Sequence, residues 1–234
     1  MPSCNDSTVI RLSNVSVDFG ARPVLSDVNL EIRRGDFIAI TGPNGGGKTT
    51  LLRIILKLLK PNSGSVEYFS PDCHKVKRLP IGYLPQKSRI DSRFPIAVGE
   101  VIRSGLLSGR CSCFKKTEDE GERYRSIINL VGMEQMADRP IGELSGGQLQ
   151  RTLIGRAIIS EPEIIVLDEP LSYVDKEFER QIYRLMEDIS RHSTVILVSH
   201  EMTYISTMAS RHLIVDHKLH ECSGHHHFME TDCD

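Results

Sequence analysis

The feature that most constrains the fold is a short apolar segment that runs directly into a glycine-rich loop. Residues 37–40 are continuously apolar, which is typical of a strand buried on both faces of a sheet. Residues 42–49 then fit the pattern G-x-x-x-x-G-K-[ST]. Residues 48–60 carry apolar side chains at helical spacing, which predicts a helix that ends at Pro61 and Gly64. This strand–loop–helix unit predicts an α/β fold with a phosphate-binding loop.

We call residues 42–50 the cradle. Its glycines let successive backbone N–H groups turn toward a phosphate, because a Cβ atom would block that approach. Lys48 can reach the β- and γ-phosphates, and the Thr49 hydroxyl can bind Mg²⁺. The candidate nucleotide-binding residues of the cradle are Gly42, Pro43, Asn44, Gly45, Gly46, Gly47, Lys48, Thr49 and Thr50. The alternative, a glycine-rich turn that binds nothing, is disfavoured by the flanking strand and helix.

Two carboxylates follow a second apolar segment, residues 164–167. The carboxyl ends of buried parallel strands are where open α/β sheets bind their ligands. Asp168 is therefore a candidate for holding Mg²⁺, and Glu169 for orienting and polarising the attacking water. An acidic turn without function is the alternative, and the upstream cradle argues against it.

Apolar segments and helical patterns alternate along the chain, which indicates a parallel sheet. The predicted strands fall within residues 9–19, 24–32, 37–40, 80–86, 164–167, 195–198 and 213–221. The first two form an antiparallel pair, and the last range forms a hairpin about residues 216–218. The predicted fold class is α/β, a P-loop NTPase core with an antiparallel β subdomain and an inserted helical subdomain.

The inserted helical subdomain is predicted at about residues 90–142, with a polar exposed loop at residues 108–121. A single domain is expected over residues 7–224, followed by a flexible tail with His and Cys residues at 225–234. The net charge of −2 does not favour binding to nucleic acid or to a membrane surface. The N-terminus lacks a secretory pattern, and the longest apolar run is too short to span a bilayer, so we expect a soluble intracellular protein.

With these segments in place, the chain resembles the ATP-binding cassette ATPases over essentially its whole length. The motifs occur in the family's order and spacing, and they comprise the cradle, Gln86 in YLPQ, LSGGQ at residues 144–148, Asp168 and Glu169, Asp175 in SYVD, and His200. We call residues 144–148 the signature turn. Tyr173 departs from the family, in which many members have a small residue at that position.

The resemblance implies a role for each matched residue. Phe19 replaces the family's usual tyrosine and would stack on adenine, unless it is simply a core aromatic. Glu169, His200, Gln86 and Lys48 would form the catalytic set, with Thr49, Gln86 and Asp168 holding Mg²⁺. The signature turn would bind the γ-phosphate of ATP held by the opposite subunit, through Ser145, Gly146, Gly147 and Gln148. Arg151 and Arg156 we interpret as solvated or structural rather than catalytic.

The resemblance also implies partners. The expected assembly is a homodimer with ATP sandwiched at the shared face, bound to integral-membrane permease subunits at the cytoplasmic face of a prokaryotic inner membrane. Residues 81–87 and 94–98 are similar to the zinc and manganese importer branch, which would add a metal-binding solute receptor as an indirect partner. Siderophore, haem or cobalamin import, or export, are the alternatives. ATP and Mg²⁺ are the expected cofactors.

The segment from His220 to His227, with Cys233, is rich in metal-ligating residue types and is either a metal sensor or a polar disordered end. Cys111 and Cys113 are interpreted as exposed thiols. A DNA-repair or ribosome-associated ATPase is the main alternative from another class, but such proteins usually have two cassettes or a long coiled coil. A regulator that binds ATP without hydrolysing it is disfavoured by Glu169 and His200. No binding to nucleic acid is expected.

Overall fold

The computed structural model describes residues 8–20, 22–86, 95–107, 119–171, 175–199 and 208–222 of the 234-residue chain. The strands are β1 Thr8–Phe19, β2 Arg22–Arg33, β3 Phe37–Thr41, β4 Ser63–Phe69, β5 Lys75–Val76, β6 Ile81–Leu84, β7 Ile164–Asp168, β8 Thr194–Val198, β9 Arg211–Asp216 and β10 Lys218–Cys222. The α-helices are α1 Lys48–Ile55, α2 Val98–Ser104, α3 Asp119–Leu130, α4 Gly146–Ile158 and α5 Lys176–Ser190. Short 3₁₀ turns lie at Gly105–Leu107, Glu134–Met136 and Ile141–Glu143.

The strands form two sheets. A four-stranded antiparallel sheet has the order β2-β1-β4-β5, and the β1–β2 pairing runs from Thr8 opposite Arg33 to Phe19 opposite Arg22. A six-stranded sheet has the order β10-β9-β3-β8-β7-β6. Its strands are parallel from β9 to β6, and only β10 pairs antiparallel. The predicted α/β fold class is confirmed, and so are the antiparallel pair and the closing hairpin.

Both faces of the six-stranded sheet are covered, which explains why its central strands are apolar except at their ends. Along β3, Phe37 and Ala39 belong to one buried cluster, whereas Ile38 and Ile40 belong to another. The first cluster includes side chains of α2, α4 and α5. The second includes α1 and the inner face of the antiparallel sheet. Successive strand residues point to opposite faces, so a sheet covered on both sides needs no polar face.

Helix α1 ends earlier than the sequence predicts. The expected end was near Lys60, but the helix stops at Ile55 and Lys57 adopts a left-handed conformation with φ of 54°. The N–H of Leu58 donates to the Arg53 carbonyl at 2.8 Å, and that of Lys57 donates to the Ile54 carbonyl at 2.9 Å. These are the two bonds of a Schellman motif, which satisfies the last carbonyls of the helix. The prediction was wrong because the motif has lysine where glycine is usual.

Helices α2 and α3 lie between β6 and β7 in the chain, in the region assigned to an inserted helical subdomain. The predicted loop at residues 108–121 extends too far toward the C-terminus, because residues 119–121 belong to the first turn of α3. The bounds of the subdomain, of the 7–224 domain and of the tail stay predictions. No helix within the described ranges combines the length and the apolar character needed to cross a lipid bilayer.

Candidate functional site

The cradle connects the carboxyl end of β3 to the start of α1. Three of its glycines have positive φ, with values of 137° at Gly42, 83° at Gly45 and 101° at Gly47. L-residues rarely adopt such angles, so the path of the loop depends on these glycines. At Gly42 the packing is also close, since a Cβ atom would lie 2.1 Å from the Val215 carbonyl oxygen.

The turn between β9 and β10 supports the cradle from behind. The backbone N–H of His217 donates to the Gly46 carbonyl at 2.9 Å, and the His217 carbonyl accepts from the Ser26 N–H at 2.8 Å. The hairpin thereby joins the cradle to β2. The residue types do not predict this support, because backbone groups make it.

Lys48 lies at the first position of α1 and is only 7% exposed. Its Nζ donates to the carbonyls of Gly42 at 2.7 Å and Pro43 at 2.9 Å, so the ammonium group folds back over the loop. Pro43 and Asn44 are exposed at the rim, and Thr50 is half-buried in the first turn of α1. The predicted phosphate-contacting lysine therefore sits within the loop that would hold the anion.

Asp168, at the end of β7, lies beside the cradle. Its Oδ2 accepts from the Thr49 hydroxyl at 3.3 Å, and the backbone N–H of Gln86 also donates to the carboxylate. Burial raises the pKa of Asp168, whose side chain is 1% exposed, and the hydrogen bond from Thr49 opposes that shift. Its Oδ1 is buried without a hydrogen-bond partner. Of the three predicted Mg²⁺-binding residues, Thr49 and Gln86 thus each contact Asp168.

Glu169 follows with φ of 53°, a left-handed conformation that is uncommon for a residue with a side chain. Its N–H donates to the Val198 carbonyl at 2.9 Å, and it is half-buried. The position of Glu169 is therefore set by the neighbouring strand β8 as well as by β7. Backbone strain of this kind is concentrated at functional sites, because only a constrained environment maintains it.

The signature turn begins helix α4. Ser145 is the N-cap: its Oγ accepts from the Gln148 N–H at 3.3 Å, and the Gln148 Oε1 accepts from the Ser145 N–H at 3.0 Å. This capping box leaves the amides of Gly146 and Gly147 at the positive end of the helix. The turn opens onto a cavity of about 720 Å³ that is also lined by Met133, Met136, Arg151 and Asp175. The geometry suits an incoming anion.

The cradle and the signature turn are separate groups. Within the described ranges, no hydrogen bond or ion pair joins residues 42–50 to residues 144–148. Phe19, at the end of β1, is 56% exposed, so the alternative that it is a core aromatic is wrong. Stacking of its ring on adenine stays a prediction.

Two residues that follow the signature turn hold later parts of the chain, and one of them, Gln150, was not predicted as a site residue. Gln150 is nine-tenths buried, and its Nε2 donates to the carbonyls of Pro170 at 3.1 Å and Glu169 at 3.4 Å. Arg151 forms a 2.8 Å ion pair with Asp175, which caps α5. A buried glutamine in an otherwise apolar helix face was the available signal. Arg151 is structural rather than solvated.

Several predicted residues lie outside the described residues: His200, Tyr173, Cys111, Cys113 and the tail from residue 223 onward. The first residues of the proposed metal-binding tail, His220, Glu221 and Cys222, belong to β10. Glu221 is ion-paired with Arg211 at 2.6 Å. The carboxylate of Glu221 is therefore engaged within the fold.

The chain is similar in sequence to known ATP-binding proteins over most of its length. The family model described as ABC transporter matches residues 25–172. The zinc import ATP-binding protein ZnuC of Pseudomonas aeruginosa is 36% identical over 222 residues, covering 94% of this chain and 76% of ZnuC. A metal transport system ATP-binding protein of Chlamydia trachomatis is 36% identical over 202 residues, covering 86% of this chain and 85% of that protein.

A solved structure agrees with these sequence matches. It is a dimeric ATP-binding cassette in a post-hydrolysis state, bound to ADP and Pi. It is 26% identical with a TM-score of 0.77, and the match covers 92% of this chain and 99% of that chain. The predicted family is therefore confirmed. This chain belongs to the ABC transporter family and is an ATP-hydrolysing, ATP-binding cassette.

Proposed function

We propose that the chain is the ATPase subunit of an importer for a transition metal ion, zinc or manganese, and that it works on a separate membrane permease. The observation that carries the proposal is the contact of Thr49 and Gln86 with Asp168 beside the cradle, together with a separate signature turn. The choice of a metal ion is supported by the names of the relatives, a zinc import protein and a metal transport protein.

The residues beside the cradle fit Mg²⁺. The Asp168 carboxylate is buried, and its Oδ1 has no hydrogen-bond partner. A buried carboxylate oxygen without a partner is costly unless a cation or donor satisfies it. Thr49, Asp168 and Gln86 are the residues that would hold Mg²⁺, whose oxygen ligand preference they match. The ion would neutralise charge on the β- and γ-phosphates during hydrolysis.

The chain's own residues supply the rest of the chemistry. The amides of the cradle and the Lys48 ammonium bind the phosphates: Lys48 donates to the carbonyls of Gly42 and Pro43 and has a third N–H for a phosphate oxygen. Glu169 orients the attacking water and polarises it. His200 holds the γ-phosphate and keeps Glu169 in register.

Two copies then close on two ATP molecules, each held between one cradle and the partner subunit's signature turn. The γ-phosphate is the group that the signature turn recognises, so its loss on hydrolysis opens the dimer. A switch from mostly open to mostly closed requires roughly 5 kcal/mol of differential binding. Several charge-assisted hydrogen bonds of about 1.5–3 kcal/mol each are sufficient. Opening would move the permease subunits at the cytoplasmic face of the membrane.

The proposed ATPase is tested with three forms of the full chain: wild type, Glu169→Gln and Lys48→Ala. Wild type hydrolyses ATP, and Glu169→Gln hydrolyses it roughly 10²- to 10⁴-fold more slowly, the usual contribution of a general base. In size-exclusion chromatography with ATP, Glu169→Gln elutes as a dimer and Lys48→Ala stays monomeric. A Glu169→Gln protein that remains monomeric in saturating ATP would contradict the sandwich.

The transported ion is tested in vesicles that contain the chain and the membrane partner with which it co-purifies. ATP-dependent uptake of labelled zinc or manganese is expected, and Lys48→Ala is the control for ATP dependence. Uptake of a metal chelate such as a siderophore in place of the free ion would overturn the choice of substrate while leaving the ATPase assignment intact.

A further inference from the structure

Helix α4 contacts residues 169 and 170, directly after strand β7, through a buried side-chain amide. The Gln150 side chain, 9% exposed, donates from Nε2 to the Pro170 carbonyl at 3.1 Å and to the Glu169 carbonyl at 3.4 Å. An apolar side chain of the same size would leave both carbonyls without this donor. A buried side-chain amide is costly unless it is hydrogen-bonded, so the contact is specific rather than incidental.

The backbone that Gln150 contacts is strained. Glu169 has φ of 53° and precedes a proline, whereas a residue before proline normally adopts an extended conformation. Two contacts from neighbouring elements oppose relaxation of this residue. The Glu169 N–H donates to Val198 of β8 at 2.9 Å, and its carbonyl accepts from Gln150 of α4. Glu169 is thus held at both its N–H and its carbonyl.

Arg151, the next residue of α4, contacts a second position further along the chain, Asp175. The Nη2 of Arg151 contacts the Asp175 Oδ2 at 2.8 Å, and its guanidinium lies 3.7 Å from the centre of the Phe178 ring. The other carboxylate oxygen of Asp175 accepts from the Phe178 N–H at 2.9 Å and caps α5. Successive residues of α4 therefore contact the chain at Glu169–Pro170 and again at Asp175.

We infer that Gln150 is a positioning residue for Glu169 and that it couples the signature turn to the water-polarising carboxylate of the same subunit. Gln150 lies five positions after Ser145, which is the N-cap of the helix that contains Gln150. In the proposed dimer, which this inference requires, the signature turn contacts the partner's ATP while Glu169 serves the subunit's own ATP. Gln150 then connects the two sites: engagement of one γ-phosphate fixes α4, and α4 fixes Glu169.

The test is Gln150→Met in the full chain, which keeps the side-chain length and removes the donor. ATP affinity stays within about two-fold, because Gln150 hydrogen-bonds to residues 169 and 170 and not to the cradle, while kcat falls roughly 10- to 100-fold through misplacement of Glu169. Leu153→Val, a buried core substitution on the same helix, is the control for general loss of packing. The kcat of Leu153→Val should stay close to that of wild type even if its melting temperature is as low as that of Gln150→Met.

A double-mutant cycle separates positioning from structure. If Gln150 acts through Glu169, Gln150→Met lowers kcat in wild type but causes no further loss in Glu169→Gln. Equal losses in both backgrounds would overturn the inference, and so would an unchanged kcat in Gln150→Met. If wild type itself fails to hydrolyse ATP, the proposed function fails first. Wild-type turnover with an unaffected Gln150→Met would remove only the inference.

Gln150→Glu provides a second readout if Gln150→Met does not fold. An ionised carboxylate there repels the two carbonyls, whereas its protonated form can donate one hydrogen bond. The ratio of variant to wild-type kcat should therefore rise as the pH falls. A ratio that does not change with pH would contradict donation from residue 150.

Discussion

Asp168 is a carboxylate that the folded protein holds almost entirely out of water. Burial raises its pKa, and the donors Thr49 and Gln86 offset that effect only in part, since Oδ1 has no partner. In the absence of nucleotide and Mg²⁺, the charge of Asp168 therefore destabilises the native state. This cost is retained because a buried, incompletely satisfied carboxylate is suited to binding a cation.

Asp168→Asn should therefore increase thermal stability while it abolishes hydrolysis. Because burial raises the pKa of Asp168 in the folded state, the folded wild-type protein loses stability as the pH rises through that pKa. We expect the variant to melt roughly 2–4 °C higher in neutral buffer, the shift that about 1 kcal/mol produces in a domain of this size. The difference should shrink in mildly acidic buffer. A variant that melts lower than wild type at neutral pH would contradict this account.

Single residues differ in how far the sequence predicts them. The cradle and Asp168 were predictable, because phosphate and Mg²⁺ binding require particular residue types at particular spacings. The contacts of Gln150 and Arg151 were not predictable, since their partners are backbone carbonyls and a carboxylate distant in the chain. Their importance appears only after the fold brings α4 against the end of β7.

At the scale of elements, Arg211 joins strands from both sheets. Its Nη1 contacts Asp36 Oδ2 and the Glu31 carbonyl, each at 2.7 Å, and its Nε contacts Glu221 at 2.6 Å. Hydrogen bonding from Arg211 lowers the pKa of Glu221. The guanidinium thereby connects β9 to β10, to β2 and to the turn before β3, at the end of β3 opposite the cradle.

Arg211→Met should destabilise the fold by about 2 kcal/mol, a typical value for lost charge-assisted hydrogen bonds. The loss is measured by denaturant unfolding, with the exposed Arg184→Met of α5 as the control. The pKa of Glu221 is lowered in the folded state. The ion pair of Arg211 with Glu221 therefore stabilises the fold at neutral pH, and this stabilisation is lost as the pH falls through that pKa. The difference between Arg211→Met and wild type should therefore decrease in acid. An equal difference at both pH values would argue against the ion pair.

Gly42→Ala tests how closely the cradle packs on the hairpin. A Cβ there would lie 2.1 Å from the Val215 carbonyl oxygen, and φ of 137° is unfavourable for alanine. We expect loss of nucleotide binding together with a lower melting temperature. Gly121→Ala, in α3 with nothing within 4 Å of the added atom, is the control and should bind ATP normally. Normal ATP binding by Gly42→Ala would show that the hairpin does not constrain the loop.

Most elements could be predicted because each buried strand is apolar and each amphipathic helix follows a 3.6-residue period. The early end of α1 could not, because Lys57 takes a left-handed conformation usually occupied by glycine. The order of the strands in the sheet could not be predicted from the sequence either. It depends on which apolar segments pair, and β3, β7 and β8 are equally apolar.

At the scale of the molecule, the six-stranded sheet places the candidate residues at one edge. Parallel strands β3 and β7 both end there, so the cradle and Asp168 meet although 119 residues separate Thr49 from Asp168. Helix α4 lies on the face of the sheet opposite α1. The signature turn therefore belongs to a different layer, and one subunit does not close it over its own cradle. A second copy is what completes both sites in the proposed function.

Because the cradle and the signature turn are separate, we expect Ser145→Asp to prevent dimer formation without weakening ATP binding. Aspartate is as good an N-cap as serine, so α4 should remain stable. Its charge, however, would repel the partner's γ-phosphate. In the Glu169→Gln background, the variant should bind ATP with normal affinity through the cradle but remain monomeric in size-exclusion chromatography.

The matched control is Ser70→Asp, in the turn between β4 and β5. The Ser70 hydroxyl also accepts a backbone N–H, that of His74, at 3.3 Å, the same distance as from Ser145 to Gln148. The two variants therefore introduce the same charge at serines whose hydroxyls each accept a backbone N–H. Only Ser145→Asp should prevent the dimer, since only Ser145 lies at the anion-binding turn. A Ser145→Asp protein that still dimerises with ATP would mean that the signature turn does not face a phosphate, and the sandwich would have to be replaced by a different assembly.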